Sequence, residues 1–453
     1  MKIALVRVKY NSHIITPPLG IGYISSCLKQ HGHETLIIDA LRDKLQDDEI
    51  IEILDRNEIN VVGLTCLTAF YKEVVQLSKK LKARGKCVII GGAHPTFLPK
   101  ETLEDSDADF VIIGDGELAF TELADKNLDN SEIQGVYSKN DLPQNPKRAK
   151  IVENLDELPF PDWEQINPQK YPIAPFGAVT KNYPIGVLLS SRGCPCACTF
   201  CANPNISGRK VRMRSPENIV SEIEYLVKNF NVKEISFIDD NLLLDKNHAK
   251  KLFNLIIQKG LNKLSFCSPN GIRADSVTKD LMDLMKKAGW YYVAFGIESA
   301  NPQILLNIKK NESVDIIKNA VKTAKDAKLE VQGFFIFGLP GETKETIKET
   351  TNFAVNSGLT RAQFLILDVL PGCELWDKLQ GKFKPDFAKD SYRYPEYIPD
   401  GLTKEDLILA QKNAFRKFYF RPKIIISLLK YIHLKQIQNF LKRLTDYGIF
   451  KKN

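Results

Sequence analysis

Four cysteines fall within eight residues, in the run SRGCPCACTFC. Cys194, Cys198 and Cys201 stand at the spacing C-x3-C-x2-C directly after the apolar stretch GVLLSS. Three thiolates on one loop can bind three irons of a [4Fe–4S] cluster and leave the fourth open to chelate a substrate. Cys196 adds a C-x-C-x-C subset, which offers a second register. A structural zinc loop would need a fourth Cys or His nearby, and none lies close in sequence. Cys27, Cys66, Cys87 and Cys267 sit in apolar runs and read as small buried thiols. The clustered thiols of a cytosolic protein argue for metal over disulfides.

With the aromatic Phe200 just before its last cysteine, this element resembles the radical S-adenosylmethionine superfamily. The resemblance implies Cys194, Cys198 and Cys201 as cluster ligands, and an open iron that grips the amino and carboxylate groups of S-adenosylmethionine. An electron from the cluster would then release a 5′-deoxyadenosyl radical. The likeness continues behind later apolar runs. Asp239-Asp240-Asn241 follows EISFI, where the resemblance implies a polar site for the methionine ammonium; the plainer reading is a helix N-cap. Asn270, Arg273 and Asp275 follow KLSFCS, in a segment similar to the loop that meets the nucleoside or the carboxylate, although Arg273 also reads as a surface ion pair. Gly296-Ile297-Glu298-Ser299 resembles the family's GxES element, whose Glu contacts the adenosyl ligand. The run Gly338-Leu339-Pro340-Gly341-Glu342-Thr343 resembles the GLPGET element near adenine; Pro-Gly is also a turn signal in any fold, and Glu342-Thr343 also reads as a helix start.

These residues need strands to carry them. From 1 to about 138, short apolar runs (KIALVRV, TLIIDA, VVGLT, CVIIGG, FVIIG) alternate with amphipathic segments, the rhythm of a parallel sheet covered by helices on both faces. Residues 139–183 break into a Pro-rich connector that includes LDELPFPDW. The alternation resumes through GVLLSS, EISFID, KLSFCS, YYVAFGI, VQGFFIF and AQFLIL, and six such units over 184–385 suggest a (β/α)6 partial barrel. Residues 386–453 read as terminal helices. The expected fold is therefore α/β: a doubly wound, Rossmann-like domain, a partial TIM barrel, and a helical C-terminal region.

The residues at the strand ends of the first domain are also informative. Pro18-Leu19-Gly20 comes after the first strand, Thr65-Cys66-Leu67-Thr68 after the third, Gly91-Gly92-Ala93-His94-Pro95-Thr96 after the fourth, and Gly114-Asp115-Gly116-Glu117 after the fifth. Glycines admit a bulky ligand near the backbone, and Thr65 and Thr68 could hydrogen-bond a nucleotide tail or corrin amides. The series resembles the cobalamin-binding domain fused to one large branch of the superfamily, and the connector fits that branch too. Many cobalamin domains present a cobalt-ligating His in D-x-H-x-x-G; here Leu41 replaces it in Asp39-Ala40-Leu41-Arg42-Asp43. The resemblance implies a weakly ligated cobalt with its dimethylbenzimidazole displaced. His94 reads as a turn residue, with cobalt ligation the lesser reading. A flavodoxin-like or receiver-like domain without cofactor is the rival, and a dinucleotide G-x-G-x-x-G is absent.

The net charge is +8, but from Arg421 onward eight basic residues face the single acid Asp446, a net +7. The body is near neutral, so no nucleic-acid partner is expected, and a peripheral membrane contact is left to the tail alone. No apolar run approaches the ~20 residues of a bilayer span, and MKIALVRVKY reads as a core strand, which implies a cytoplasmic location. The resulting expectation is a cobalamin-dependent radical S-adenosylmethionine methyltransferase acting at an unactivated carbon. The implied cofactors are a [4Fe–4S] cluster, S-adenosyl-L-methionine and methylcobalamin. A small-molecule or lipid substrate and reduced flavodoxin or ferredoxin complete the scheme. The alternatives are an oxidative, ring-forming cyclase of the same branch and, from another class, a non-catalytic cobalamin or redox sensor. Asp368, Tyr171 and Cys373 are substrate candidates by position only.

Overall fold

The computed structural model describes residues 1–176, 180–387 and 392–429. The chain divides into two compact units, the first Met1–Pro172 with short returns at Asn205–Gly208 and Asp386–Asp390, the second built from the remainder.

The first unit holds β1 (Lys2–Arg7), β2 (Glu34–Asp39), β3 (Val61–Thr65), β4 (Cys87–Gly91), β5 (Phe110–Ile112) and β6 (Val136–Tyr137). They form one sheet in the order β2-β1-β3-β4-β5-β6, parallel except for β6. The five parallel strands are those expected from the apolar runs; β6, only two residues long, has no periodicity to reveal it. The strands read as continuous apolar runs because both faces are covered: Ala4, Val62, Val88 and Ile90 are buried on one face, and Ile3, Leu5 and Ile89 on the other. Each such side chain removed from water contributes about 1.5–3 kcal/mol for a Val or Ile.

The expected connector packs along the edge strand β2. Gln165 accepts the Ile37 N–H at 2.7 Å and donates to the Thr35 carbonyl at 3.2 Å, so one side chain satisfies two backbone groups of the open edge. Asp162 anchors it through Ser25 at 2.7 Å and Lys29 at 2.7 Å.

The second unit holds β7 (Ile185–Leu188), a small antiparallel ribbon of β8 (Ser191–Arg192) and β9 (Arg212–Met213), then β10 (Glu234–Phe237), β11 (Ser265–Ile272), β12 (Trp290–Glu298), β13 (Glu330–Phe337) and β14 (Arg361–Ile366). The large sheet is wholly parallel, in the sequential order β14-β13-β12-β11-β10-β7, as expected of six consecutive β/α units. Phe237, Phe266 and Trp290 stack within it at centroid distances of 4.6–6.4 Å. At its far edge the helix Lys404–Tyr419 covers β14: Gln411 donates to the Phe364 carbonyl and Tyr419 to that of Ala362. A second terminal helix spans Pro422–Leu429. No helix among the described residues is long and apolar enough to cross a membrane; most of the basic tail, from Lys430, lies outside them.

Candidate active site

The cysteine loop leaves β8 at the C-terminal end of the barrel strands and is held from both sides by backbone bonds at one residue. The Thr199 N–H donates to the Ile308 carbonyl at 3.0 Å, and its carbonyl accepts the Leu375 N–H at 2.9 Å. Lys309 and Glu374, beside those two contacts, pair at 2.7 Å. Cys194, Cys196, Cys198 and Cys201 are all half-buried free thiols. Burial raises Cys198, with Lys310 opposing, and pushes Cys201 up to about 11. A hydrogen bond to Cys196 raises Cys194. Thiols held protonated in this way must shed protons to bind iron.

Next to the loop, Asp239 is buried and loads all of its bonds onto one oxygen. Oδ1 accepts the Ser190 N–H at 2.9 Å and the hydroxyls of Ser190 and Ser191 at 2.7 Å each, while Oδ2 is buried with no hydrogen-bond partner among the described residues. Burial raises the Asp239 carboxyl, and such an orphaned oxygen calls for a hydrogen-bond donor. Burial pushes Asp240 up to about 6, with Asn203 and the Gly193 N–H opposing. Neither acid is a helix N-cap; Asp245 caps the helix Lys246–Gln258, which disposes of the plainer reading.

At the end of β12, Glu298 sits at φ 64°, in the left-handed region that non-glycine residues rarely occupy. Its carboxylate folds back over Gly296, where a Cβ would meet Glu298 Oε1 at 2.6 Å and Lys310 Nζ at 3.1 Å. The glycine of Gly-Ile-Glu-Ser is therefore required by its own glutamate. Burial raises the Glu298 carboxyl and Lys310 opposes it. The Lys310 ammonium lies 3.4 Å from Glu298 and 3.5 Å from Glu312; burial pulls it down, and the two acids more than offset that. Arg273 joins the network through Asp275 at 2.6 Å, Glu312 at 3.9 Å and the Lys310 carbonyl at 3.0 Å. It is thus an ion pair, but one with only 12% of its side chain exposed. Lys310 and Glu312 carry no sequence signal, since the run KKNES reads as a solvated loop. After β13, Gly338 at φ 87° lets its N–H and that of Leu339 reach Glu342 at 2.6 and 3.2 Å. Burial pushes the Glu342 carboxyl up to about 8. Thr343 begins the next helix as its N-cap, and the Pro340 carbonyl accepts from Asn307. Phe200 is half-buried in the loop.

In the first unit the candidate residues lie at the C-terminal ends of β1, β3, β4 and β5. Pro18 precedes the helix Leu19–Gln30, and a Cβ on Gly20 would meet nothing within 4 Å. Gly91 is nearly as open. Gly92, at φ 118°, passes so close to the Cys66 carbonyl that a Cβ would lie 2.4 Å from it. Leu67 is 46% exposed beside half-buried Thr65 and Thr68. Gly116 lets Ile24 approach to 3.0 Å of a would-be Cβ, and Glu117 is buried. An open, glycine-lined edge with an exposed apolar side chain and hydroxyls fits a large amide-bearing ring. Leu41, where a cobalt-ligating His would stand, is buried. Asp39 is taken up by a bidentate pair with Arg7 at 2.8 and 2.6 Å and by the Tyr171 hydroxyl at 2.7 Å. That gives Tyr171 a structural partner; Cys373 likewise sits buried at a helix start, and Asp368 accepts the Tyr392 N–H. Of the scattered thiols, Cys27, Cys66 and Cys267 are buried as expected, whereas Cys87 at the start of β4 is only half-buried.

Residues 188–354 match the Radical SAM superfamily and residues 7–124 the B12 binding domain. An uncharacterised methyltransferase of Pyrococcus horikoshii is 32% identical over 443 residues, covering 94% of each chain. The cytidylyl-2-hydroxyethylphosphonate methyltransferase of Streptomyces wedmorensis is 30% identical over 80% of this chain and 77% of that one. The chain belongs to the cobalamin-dependent radical S-adenosylmethionine methyltransferase family. The family also reaches a cyclase: the anaerobic magnesium-protoporphyrin IX monomethyl ester cyclase of Rubrivivax gelatinosus is 27% identical over 89% of this chain and 74% of that one. The fold is that of the radical S-adenosylmethionine methyltransferase TsrM from Kitasatospora setae, at a TM-score of 0.74 and 18% identity over 93% of this chain and 90% of that one. A [4Fe–4S] cluster, S-adenosylmethionine and cobalamin are accordingly its cofactors, and it works on a small molecule with electrons from an external donor.

Proposed function

We propose that this family member transfers a methyl group to an unactivated carbon of its substrate, with Cys194, Cys198 and Cys201 holding the cluster. The observation that carries the site assignment is Asp239, whose buried, unpartnered oxygen waits beside the cysteine loop for a cation, as the methionine ammonium is. Asp240 lends a second acid, Arg273 and Lys310 bring positive charge for the methionine carboxylate, Glu298 meets the adenosyl group, and Gly338 and Pro340 shape the edge near adenine. In the first unit Pro18, Leu19, Gly20, Thr65, Leu67, Thr68, Gly91, Gly92, Gly114, Gly116 and Glu117 form the cobalamin edge, with Leu41 leaving cobalt no protein imidazole. Bound together, these cofactors supply one-electron cleavage of a sulfonium and a methyl group carried on cobalt. The chain contributes orientation, charge balance and exclusion of water. The electron comes from a reduced flavodoxin or ferredoxin.

The test is incubation of the anaerobically reduced holoenzyme with methyl-labelled S-adenosylmethionine and candidate substrates. Label in the product is the expected result. Product formed without label, together with 5′-deoxyadenosine, would turn the reading to ring formation. Failure to make any 5′-deoxyadenosine under strong reductant would favour the sensor.

A further inference from the structure

The element Ala93-His94-Pro95-Thr96, which reads in sequence as a turn, ties three strand-end loops of the first unit together. The Thr96 hydroxyl donates to the Gly92 carbonyl at 2.7 Å and accepts the Gly114 N–H at 3.0 Å. One oxygen thus joins the glycine turn after β4 to the glycine turn after β5, both in left-handed backbone, at φ 118° and 96°. His94 reaches the third loop. Its N–H donates to the Cys66 carbonyl at 3.3 Å, and its ring Nδ1 lies 3.2 Å from Thr68 Oγ1. The Cys66 N–H in turn donates to the Gly91 carbonyl at 2.7 Å.

The His94 ring has no solvent exposure; it stacks on Tyr71 at 3.9 Å and meets Phe387 edge-on at 5.1 Å. Burial pushes it down to about 4, so at neutral pH it carries a single N–H. Nε2 is buried without a partner among the described residues. A buried N–H without an acceptor is the rarer and costlier defect, so the proton belongs on Nδ1, where Thr68 Oγ1 accepts it. Thr68 must then point its own hydroxyl hydrogen away from His94. A half-buried threonine at the cobalamin edge is thereby fixed as a donor, the polarity that a corrin amide carbonyl requires.

We propose that Thr96 and His94 are positioning residues for cobalamin: Thr96 locks the loops after β4 and β5 into one bracket, and His94 orients the Thr68 hydroxyl as a hydrogen-bond donor to the corrin side-chain amides. The inference rests on cobalamin binding at this edge.

The test is titration of full-length, anaerobically prepared apoprotein with hydroxocobalamin, read from the visible spectrum, with iron content and thermal midpoint measured alongside. Thr96→Val and His94→Leu should each weaken cobalamin about tenfold, the order expected for losing a hydrogen bond to a buried group, with iron content unchanged. Thr96→Ser keeps the hydroxyl and His94→Asn keeps a donor at the Nδ1 place, so both should stay within about threefold of the native chain. Thr68→Val, at a half-buried position, should match His94→Leu, and the double variant should lose little more than either alone. The proposal is overturned if Thr68→Val binds as tightly as the native chain, or if the Ser and Asn variants lose as much as Val and Leu. Should Thr96→Val or His94→Leu not fold, the Thr68→Val, Ser and Asn arms still decide. A native chain that takes up no cobalamin would instead remove the underlying assignment.

Discussion

At the C-terminal end of the barrel strands, Asp239, Glu298, Lys310 and Glu312 are buried charges, with Arg273 and Asp240 close by. The equivalent edge of the first sheet presents Gly91, Gly92 and Gly114, two threonines and a neutral histidine; of its two buried acids among the described residues, Asp39 is matched by Arg7, and Glu117 sits in the first turn of its helix. The difference follows from what each edge must hold. A small zwitterion is gripped by opposed charges in a poorly solvated site, where Coulomb attraction is strong. A large ring bearing neutral amides is gripped by open backbone and by donors of fixed direction. One chain therefore uses two currents of recognition, electrostatic in the barrel and steric in the first sheet, and a variant should fail differently at each.

The largest contrast is expected at the thiols. Cys198→Ala should lose the four-iron cluster and lower 5′-deoxyadenosine formation by more than about a thousandfold, roughly the ~4 kcal/mol or more of barrier that such a loss represents. Cys196→Ala should keep both, which iron and sulfide analysis can check; a lost cluster there would shift the ligand register. Lys310→Met leaves the buried Glu298 without its cation, while Glu312 keeps Arg273, and should destabilise the fold by about 3–5 kcal/mol in denaturant titrations. Adding Glu298→Gln should recover part of that. On the other edge, Gly92→Ala forces a Cβ onto the Cys66 carbonyl at positive φ and should cost about 1–3 kcal/mol. Gly20→Ala meets open space within a helix and should raise stability by up to about 1 kcal/mol, while weakening cobalamin uptake if the ring lies over it.

A pH profile separates the edges more finely. Burial raises the Glu342 carboxyl from its ordinary 4.5 to about 8. Between those values the folded chain holds a proton that the unfolded chain has released, so stability falls as pH rises through that window. Glu342→Gln has no such loss. Its stability relative to the native chain should therefore grow from about pH 4.5 to about pH 8, measured by urea titration across that range. A constant difference would show that Glu342 ionises normally.

Much of the architecture was legible because strands buried on both faces must be apolar throughout, which is why every parallel strand of both sheets announced itself. The cysteine spacing and the Gly-Ile-Glu-Ser run were legible as motifs, though the reason for Gly296 emerges only when Glu298 is seen folding over it. Lys310 and Glu312 stayed hidden because a charged loop in sequence looks solvated; only the packing around them shows that both are buried. Thr96 was hidden for a different reason. Its partners are backbone groups of glycines near and far, and backbone bonding leaves no mark on residue type. Ser190 and Ser191 stood in plain view before the cysteines, yet nothing in the sequence aimed them at an acid 48 and 49 positions away.

The double backbone tether at Thr199 has a consequence for how the enzyme comes of age. A loop secured to its neighbours by main-chain bonds should hold its course independently of iron, and metal insertion is then expected to complete the loop and not to trigger folding. Protein made in air, stripped of its inorganic centre, should accept iron and sulfide in a glove box without passing through denaturant. Its amide at Thr199 should resist deuterium exchange equally before and after loading.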